Sequence, residues 1–392
     1  MSTRGTEMDF LKVRVLLTDG SGRQTMTIMR ALKDIGCHVT VLCGSKRSIC
    51  AVSRFPDKKI IDQRCECGHK EYVPFLLSLV STGEYDVILP VGELATNKIT
   101  ENEDEFRKYV RLACAPRSAY QNAFNKQKTY ETALRLGIPC AYTRMDDQSV
   151  DDFLKTAHFP VIVKPRQGMG SMGFHKFNNE EEFRTALNNR IFDPDTFIVQ
   201  EFVEFEKRRG TYIMMDQHSE VKSSLASEVI RWYPIDAGTS TLSMSIDDQD
   251  IIGYAGKLLK ELGWQGYANV GFMIEKNTNK PKLLEINGRI PAPIKLTWIC
   301  GINVAKQLIE MAYDEEVTYY PPNEKFGMMA RHSQADLMWF IKSPNRFKAK
   351  PSWFSWKNTA DLVFWKDDPK PFFTYTFSGI FQYKKFMAKR KR

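Results

Sequence analysis

The most chemically suggestive stretch of the sequence is Phe159-Pro160-Val161-Ile162-Val163-Lys164-Pro165-Arg166-Gln167-Gly168-Met169-Gly170-Ser171-Met172-Gly173-Phe174. Its β-branched run predicts a strand that delivers Lys164 at its end, and a loop with three glycines follows at once. Glycines let a backbone come close to an anion and aim several N–H groups at it, while the lysine adds a point charge for the same group. The pattern predicts a flap over phosphate oxygens. The lysine precedes the glycines and no Gly-Lys-Ser/Thr follows, which excludes a P-loop and a dinucleotide turn.

A second constellation stands about 120 residues downstream in Lys282-Leu283-Leu284-Glu285-Ile286-Asn287-Gly288-Arg289. On a strand, Glu285, Asn287 and Arg289 alternate to one face. A carboxylate and an amide oxygen are hard donors for Mg²⁺, and a guanidinium beside them supports a phosphoryl or acyl oxygen. Leu283 and Leu284 predict a core strand rather than an edge. Between the two constellations, Phe197-Ile198-Val199-Gln200 reads as a strand that breaks into the acid-flanked hinge Glu201-Phe202-Val203-Glu204, able to offer backbone groups to an adenine edge.

The order of these elements resembles the ATP-grasp superfamily over roughly Val13 to Pro322. The resemblance implies a phosphate-binding role for Lys126, a dozen residues before the turn Gly137-Ile138-Pro139, and a phosphate and adenine role for Lys164. It implies a flexible flap at Gly168, Gly170, Ser171 and Gly173, an adenine hinge at Glu201, Phe202, Val203 and Glu204, and a Glu-x-Asn-x-Arg signature in which Glu285 and Asn287 hold Mg²⁺ and Arg289 is catalytic. Arg231, in the stretch Ser227–Thr241, lies where related ligases hold a carboxylate substrate. The implied cofactors are ATP and Mg²⁺. The implied reaction activates a carboxylate as an acyl phosphate and joins it to an amine, releasing ADP and phosphate. Two alternatives stand beside it: a bicarbonate-using carboxylase or carbamoyl-phosphate-type enzyme, and an ATP-binding protein without turnover. The chain is too short for the duplicated halves of a carbamoyl phosphate synthase large subunit. It also has Ile290-Pro291-Ala292-Pro293 where biotin carboxylases carry Gln-Val-Glu-His. One departure concerns the metal, because Gly271 stands where the superfamily usually has a second acidic ligand.

The expected fold is mixed α/β and α+β: an N-terminal α/β domain (1–110), a small lid lobe with the flap (111–205), a larger antiparallel lobe with metal and substrate site (206–325), and an aromatic, basic appendage (326–392). The opening reads as β-α-β, with the turn Asp19-Gly20-Ser21-Gly22 before a helix over about 23–34, a further helix over 72–80 and a strand over 86–90. Ligands of open parallel sheets sit beyond the carboxyl ends of strands, which makes Glu93 a candidate substrate contact.

With 43% hydrophobic and 26% charged residues, the 392-residue chain has globular composition, and no apolar run reaches membrane-spanning length. A cytoplasmic enzyme is expected, its eight scattered cysteines reduced; Cys65-Glu66-Cys67-Gly68-His69 lacks the second ligand pair of a zinc site. Net charge is +9, much of it in the six positive charges of residues 384–392, so peripheral contact with a membrane or acidic glycan is an expectation for that end, and nucleic acid is not. Small carboxylate and amine substrates and a second copy of the chain complete the expected partners.

Overall fold

The protein is described from a computed structural model, in which residues 8–167, 173–235 and 238–379 are placed. Short runs of Val, Leu and Ile build the first sheet: β1 (Arg14–Leu17), β2 (His38–Cys43), β3 (Lys58–Ile61), β4 (Val87–Leu89) and β5 (Arg111–Leu112). All pairs are parallel and the order is β3-β2-β1-β4-β5. Parallel strands covered on both faces have little use for polar residues. Val15 and Leu17 pack toward the helix Arg23–Asp34, and Leu16 and Ile88 toward the helices Tyr72–Val80 and Glu93–Glu101. The order reverses between β1 and β4, so their carboxyl ends flank a crevice. There the Gly92 N–H donates to Asp19 Oδ2 at 2.8 Å. Because β5 pairs with β4, the first sheet extends past the expected limit at residue 110.

The lid lobe is a three-stranded antiparallel sheet, β7-β6-β8, of β6 (Val161–Pro165), β7 (His175–Phe177) and β8 (Phe197–Glu201). Val161, Val163 and Val199 bury one face against Phe153 and Phe183 of the helices Val150–Thr156 and Glu180–Asn188.

The large lobe is a seven-stranded sheet of order β13-β12-β9-β10-β11-β14-β15. Its strands are β9 (Phe205–Met215), β10 (Val221–Tyr233), β11 (Thr239–Ile246), β12 (Gly266–Glu275), β13 (Pro281–Asn287), β14 (Met329–Arg331) and β15 (Thr359–Asp361). Alternation assigns the faces. Ile213, Met215, Ala268 and Val270 meet the helices Arg117–Phe124, Lys126–Arg135 and Gln249–Glu261, while Tyr212, Met214 and Tyr267 join the core shared with the N-terminal sheet.

Two expectations change here. β13 is an edge strand, not a central one; its apolar residues are explained by the segment that closes the edge, where the Leu283 N–H donates to Pro139 O at 2.7 Å. The region after 326 is no mere appendage, since β14 pairs with β11 and carries β15 beside it. The expected limits at 110, 205 and 325 therefore do not all coincide with sheet boundaries.

Candidate active site

The cations come first. Lys164 leaves the buried part of β6 half-buried, with Nζ 3.2 Å from Tyr130 Oη, and Tyr130 Oη donates to Leu284 O at 2.6 Å. This relay ties the lid, the helix Lys126–Arg135 and β13 together. That helix begins at Lys126 because the Asn125 side chain accepts from the N–H groups of Gln127 and Lys128. The Lys126 N–H donates to Arg166 O at 2.9 Å, which anchors the helix start to the base of the flap. Burial, and then the neighbouring Lys164, hold the Lys126 ammonium below its ordinary pKa, with Glu285 and Glu93 acting against them. Four charges from three parts of the chain thus share one electrostatic site.

The acids come from β13. A bulge there leaves Leu284 as the extra residue between Leu283, opposite Phe272, and Glu285, opposite Gly271, and Asn287 lies opposite Asn269. Asn287 Nδ2 donates to Glu285 Oε1 at 3.1 Å, leaving Glu285 Oε2 and Asn287 Oδ1 as adjacent oxygen donors. Two such oxygens suit a hard cation with phosphate and water completing its shell, so the residues present fit Mg²⁺. Among the described residues there is no group of three or more His, Cys, Asp or Glu with metal-binding geometry. A Cβ on Gly271 would stand 3.7 Å from Glu285 Cγ, an ordinary contact, so the strand has room for the second acid it lacks.

Arg289 lies beyond the end of β13, so it does not continue the strand alternation. Gly288 turns the chain where a Cβ would come within 2.5 Å of Trp264, and Arg289 Nε then reaches Glu93 Oε2 at 3.3 Å. The N-terminal crevice and the signature strand therefore meet through the Arg289–Glu93 pair.

At the hinge, the Glu201 carboxylate accepts from the His158 N–H at 2.6 Å, and Glu204 pairs with Lys276 Nζ at 2.8 Å. Both acids are committed to protein partners. Among the described residues neither the Phe202 carbonyl nor the Val203 N–H has a hydrogen-bond partner, an acceptor and a donor of the kind an adenine edge pairs with. Lys176 Nζ lies 3.7 Å from the centre of the Phe202 ring.

The ATP-grasp domain family matches residues 123–293, the stretch that holds all of these groups except Glu93. Residues 123–293 are an ATP-grasp domain. The chain is 24% identical over 290 residues to the carbamoyl phosphate synthase large chain of Thermotoga sp. (strain RQ2), an alignment covering 69% of this chain and 25% of that one. The chain thus spans about a quarter of the length of those curated relatives. It is 27% identical over 155 residues to the D-alanine–D-alanine ligase of Prochlorococcus marinus (strain MIT 9301), covering 37% of this chain and 43% of that one. Among solved structures, the biotin carboxylase domain dimer of Hydrogenobacter thermophilus 2-oxoglutarate carboxylase, with MgADP, ADP and bicarbonate, superposes with a TM-score of 0.63 at 18% identity over 81% of this chain and 73% of that one. Campylobacter jejuni biotin carboxylase gives 0.64 at 16% identity, covering 81% and 74%.

Within this ATP-grasp site the flap residues Gly168, Gly170 and Ser171 lie outside the described residues. Gly173, at the flap's return, has φ +72° and sits where a Cβ would come within 2.9 Å of Pro165.

Arg231 does not face the site. Its guanidinium is bidentate on Asp336, Nε to Oδ1 at 2.8 Å and Nη2 to Oδ2 at 2.9 Å, and Nη1 donates to Pro351 O at 3.1 Å. The expected carboxylate is present, but it belongs to the protein, and both residues are buried. Each of its three nitrogens thus has a protein partner.

Arg208, which the sequence patterns do not mark, does join the ATP-grasp site. It stands on β9 on the face of Gly210, and Gly210 pairs with Gly271, so it shares the face of Glu285. Nη1 donates to Gly238 O at 2.9 Å and the guanidinium stacks over Trp232, while Nε and Nη2 are buried and have no partner among the described residues. Burial holds its pKa below the ordinary arginine value, with Glu285 acting against that shift. A guanidinium with two buried donors unpaired beside the Glu285 carboxylate is arranged to receive an anion.

Proposed function

We propose that the protein is an ATP-dependent ligase that activates a carboxylate as an acyl phosphate and joins it to an amine. The observation that carries this reading is the convergence of Lys126, Lys164, Arg208 and Arg289 with the Glu285–Asn287 pair where the flap base, the large sheet and the N-terminal crevice meet. The adenine edge pairs with Phe202 O and the Val203 N–H. Lys126 and Lys164 take the phosphate oxygens, the lysines of the ATP-grasp pattern. Glu285 and Asn287 hold Mg²⁺, which when bound neutralises the phosphate charge.

In the first half-reaction a carboxylate oxygen attacks the γ-phosphorus of ATP and the bond to the β-γ bridging oxygen breaks, giving acyl phosphate and ADP. In the second, a neutral amine attacks the acyl carbon, phosphate leaves with the former acyl oxygen, and the amine proton passes to solvent. Neither step needs a nucleophilic side chain; positioning and charge stabilisation suffice. Arg208, on the Glu285 face of the sheet, and Arg289, paired with Glu93, stabilise the phosphoryl and acyl charge that develops. Gly271 makes this a site with one carboxylate ligand, and Arg208 supplies positive charge on the same sheet face. The acceptor lies toward the Asp19–Gly92–Glu93 crevice.

Incubating the protein with MgATP and pools of amino acids and amino sugars tests the reading. ADP and phosphate formation that requires both an acid and an amine supports it, and AMP formation overturns it. The biotin carboxylase fold neighbours, one of them bound to bicarbonate, favour the second reading. Bicarbonate-dependent ADP release without an organic acid would select that one. Assembly as a homodimer, in line with the dimeric fold neighbour, is read by light scattering.

A further inference from the structure

The strongest surface feature outside the ATP site lies beyond β14. The helix Ser333–Lys342 exposes Leu337 (46%) and Ile341 (52%) one turn apart, and the segment after it exposes Phe347 (75%) and Phe354 (63%). These side chains form one patch: Phe347 and Phe354 close over the half-buried Phe340, with ring centres 5.4 and 5.6 Å away. At the other end of the helix, Gln334 Nε2 donates to Thr376 Oγ1 at 2.7 Å, which brings up the helix over 370–379 with Phe373 and Phe377 exposed on it.

This patch is held from beneath. Trp353 Nε1 donates to Asp336 O at 3.1 Å, and buried Arg331 is sandwiched between Trp353 and Trp356 at 4.6 and 4.5 Å. The aromatics are therefore presented on a fixed base. A contiguous apolar patch of this kind marks a surface that something covers.

Charge identifies the occupant. Residues 337–360 contain Lys342, Arg346, Lys348, Lys350 and Lys357 and no acid. A second copy related by a two-fold axis would set five positive charges against five, so self-association through this face is opposed. Exposed aliphatic and aromatic tips interspersed along the chain with long cationic side chains match an anionic lipid interface, where rings enter the headgroup boundary and lysines stay with the phosphates. We propose that this face docks the protein peripherally onto an anionic lipid surface. No described helix is long and apolar enough to cross a membrane, so the contact is interfacial. The proposal rests on none of the assignments in the ATP site.

Sedimentation of the full chain with phosphatidylcholine vesicles, with and without about one third phosphatidylglycerol, tests it. The protein should pellet only with the anionic vesicles and be released at about 0.5 M salt. Phe347→Ser with Phe354→Ser, and separately Lys348→Glu with Lys350→Glu, should each weaken binding roughly tenfold at unchanged Tm. The basic residues 384–392 stay intact in both variants. The proposal is overturned by absence of binding to anionic vesicles, or by binding that neither variant weakens, which would assign it to the basic end. It is also overturned if the lipid-free protein forms a dimer that the phenylalanine variant dissolves.

Discussion

Two arginine sites in the large sheet differ in what their donors already hold. At the β14 side, Arg231 is bidentate on buried Asp336, Thr241 Oγ1 adds a hydrogen bond at 2.9 Å, and buried Arg331 forms an ion pair with the same carboxylate at 2.7 Å, though among the described residues its Nε and Nη1 make no hydrogen bond. Burial holds the Arg331 pKa below its ordinary value, with Asp336 acting against it. At the β13 side, Arg208 lies near Glu285 with two donors idle, and Lys126 and Lys164 add charge close by. A buried cation whose donors are consumed by a fixed carboxylate holds the fold together. Arg208 keeps idle donors on the Glu285 face of the sheet, whereas the idle nitrogens of Arg331 are enclosed between Trp353 and Trp356. The role of an arginine follows from its partners rather than from its neighbours in sequence.

The change expected to have the largest effect breaks the structural site. Asp336→Ala leaves two buried guanidinium groups without their shared counter-ion, which should cost about 3–5 kcal/mol; chemical denaturation measures it, and a midpoint within error of the parent protein would contradict the assignment. Next comes Glu285→Gln, which removes the one carboxylate of the pair proposed to hold Mg²⁺. Turnover should fall by roughly two to three orders of magnitude while ATP still binds through the lysines, as read by steady-state kinetics and calorimetry side by side. Retained activity at limiting Mg²⁺ would move the metal elsewhere.

Lys126→Ala and Lys164→Ala should each weaken ATP binding about tenfold or more without unfolding the chain. The pH dependence of the parent protein sharpens this. Lys126 starts below its ordinary pKa and gains phosphate partners on binding, so its pKa rises in the complex. Between the two values ATP binding takes up protons, and affinity falls as pH rises. Calorimetry in buffers of different ionisation enthalpy reads the uptake, which the Lys126→Ala variant should lack. Arg208→Met tests the contrast itself: kcat should drop by roughly tenfold with stability unchanged or raised, because two unsatisfied buried donors disappear. A loss of stability like that of Asp336→Ala would make the two sites equivalent. The smallest effect is expected from Gly271→Glu, which has space for a second carboxylate. It should lower the half-saturating Mg²⁺ concentration by about threefold.

Elements written as local patterns were legible. The β-branched run into Lys164 and the alternating Glu285 and Asn287 depend on a periodicity of two, carried by residues within a few positions of one another. The parallel N-terminal sheet followed from short apolar strands alternating with helices. The edge position of β13 was not legible, because a strand covered by a loop from residues 139–140 is as apolar as a central one.

By itself, then, the sequence determined which strand ends carry lysines, glycines and hard oxygen donors, since those follow from the pleat and from turn chemistry. Only the tertiary structure decided between the arginines. Arg208 and Arg209 are adjacent, so they must face opposite sides of β9. Arg209 meets Glu228 at 3.0 Å and Asp248 at 2.8 Å on one side, and Arg208 meets the open site on the other. The partner of Arg231 lies 105 residues away at Asp336. Whether a guanidinium is neutralised depends on which carboxylates the fold brings within hydrogen-bond reach, and a linear pattern holds no record of that distance.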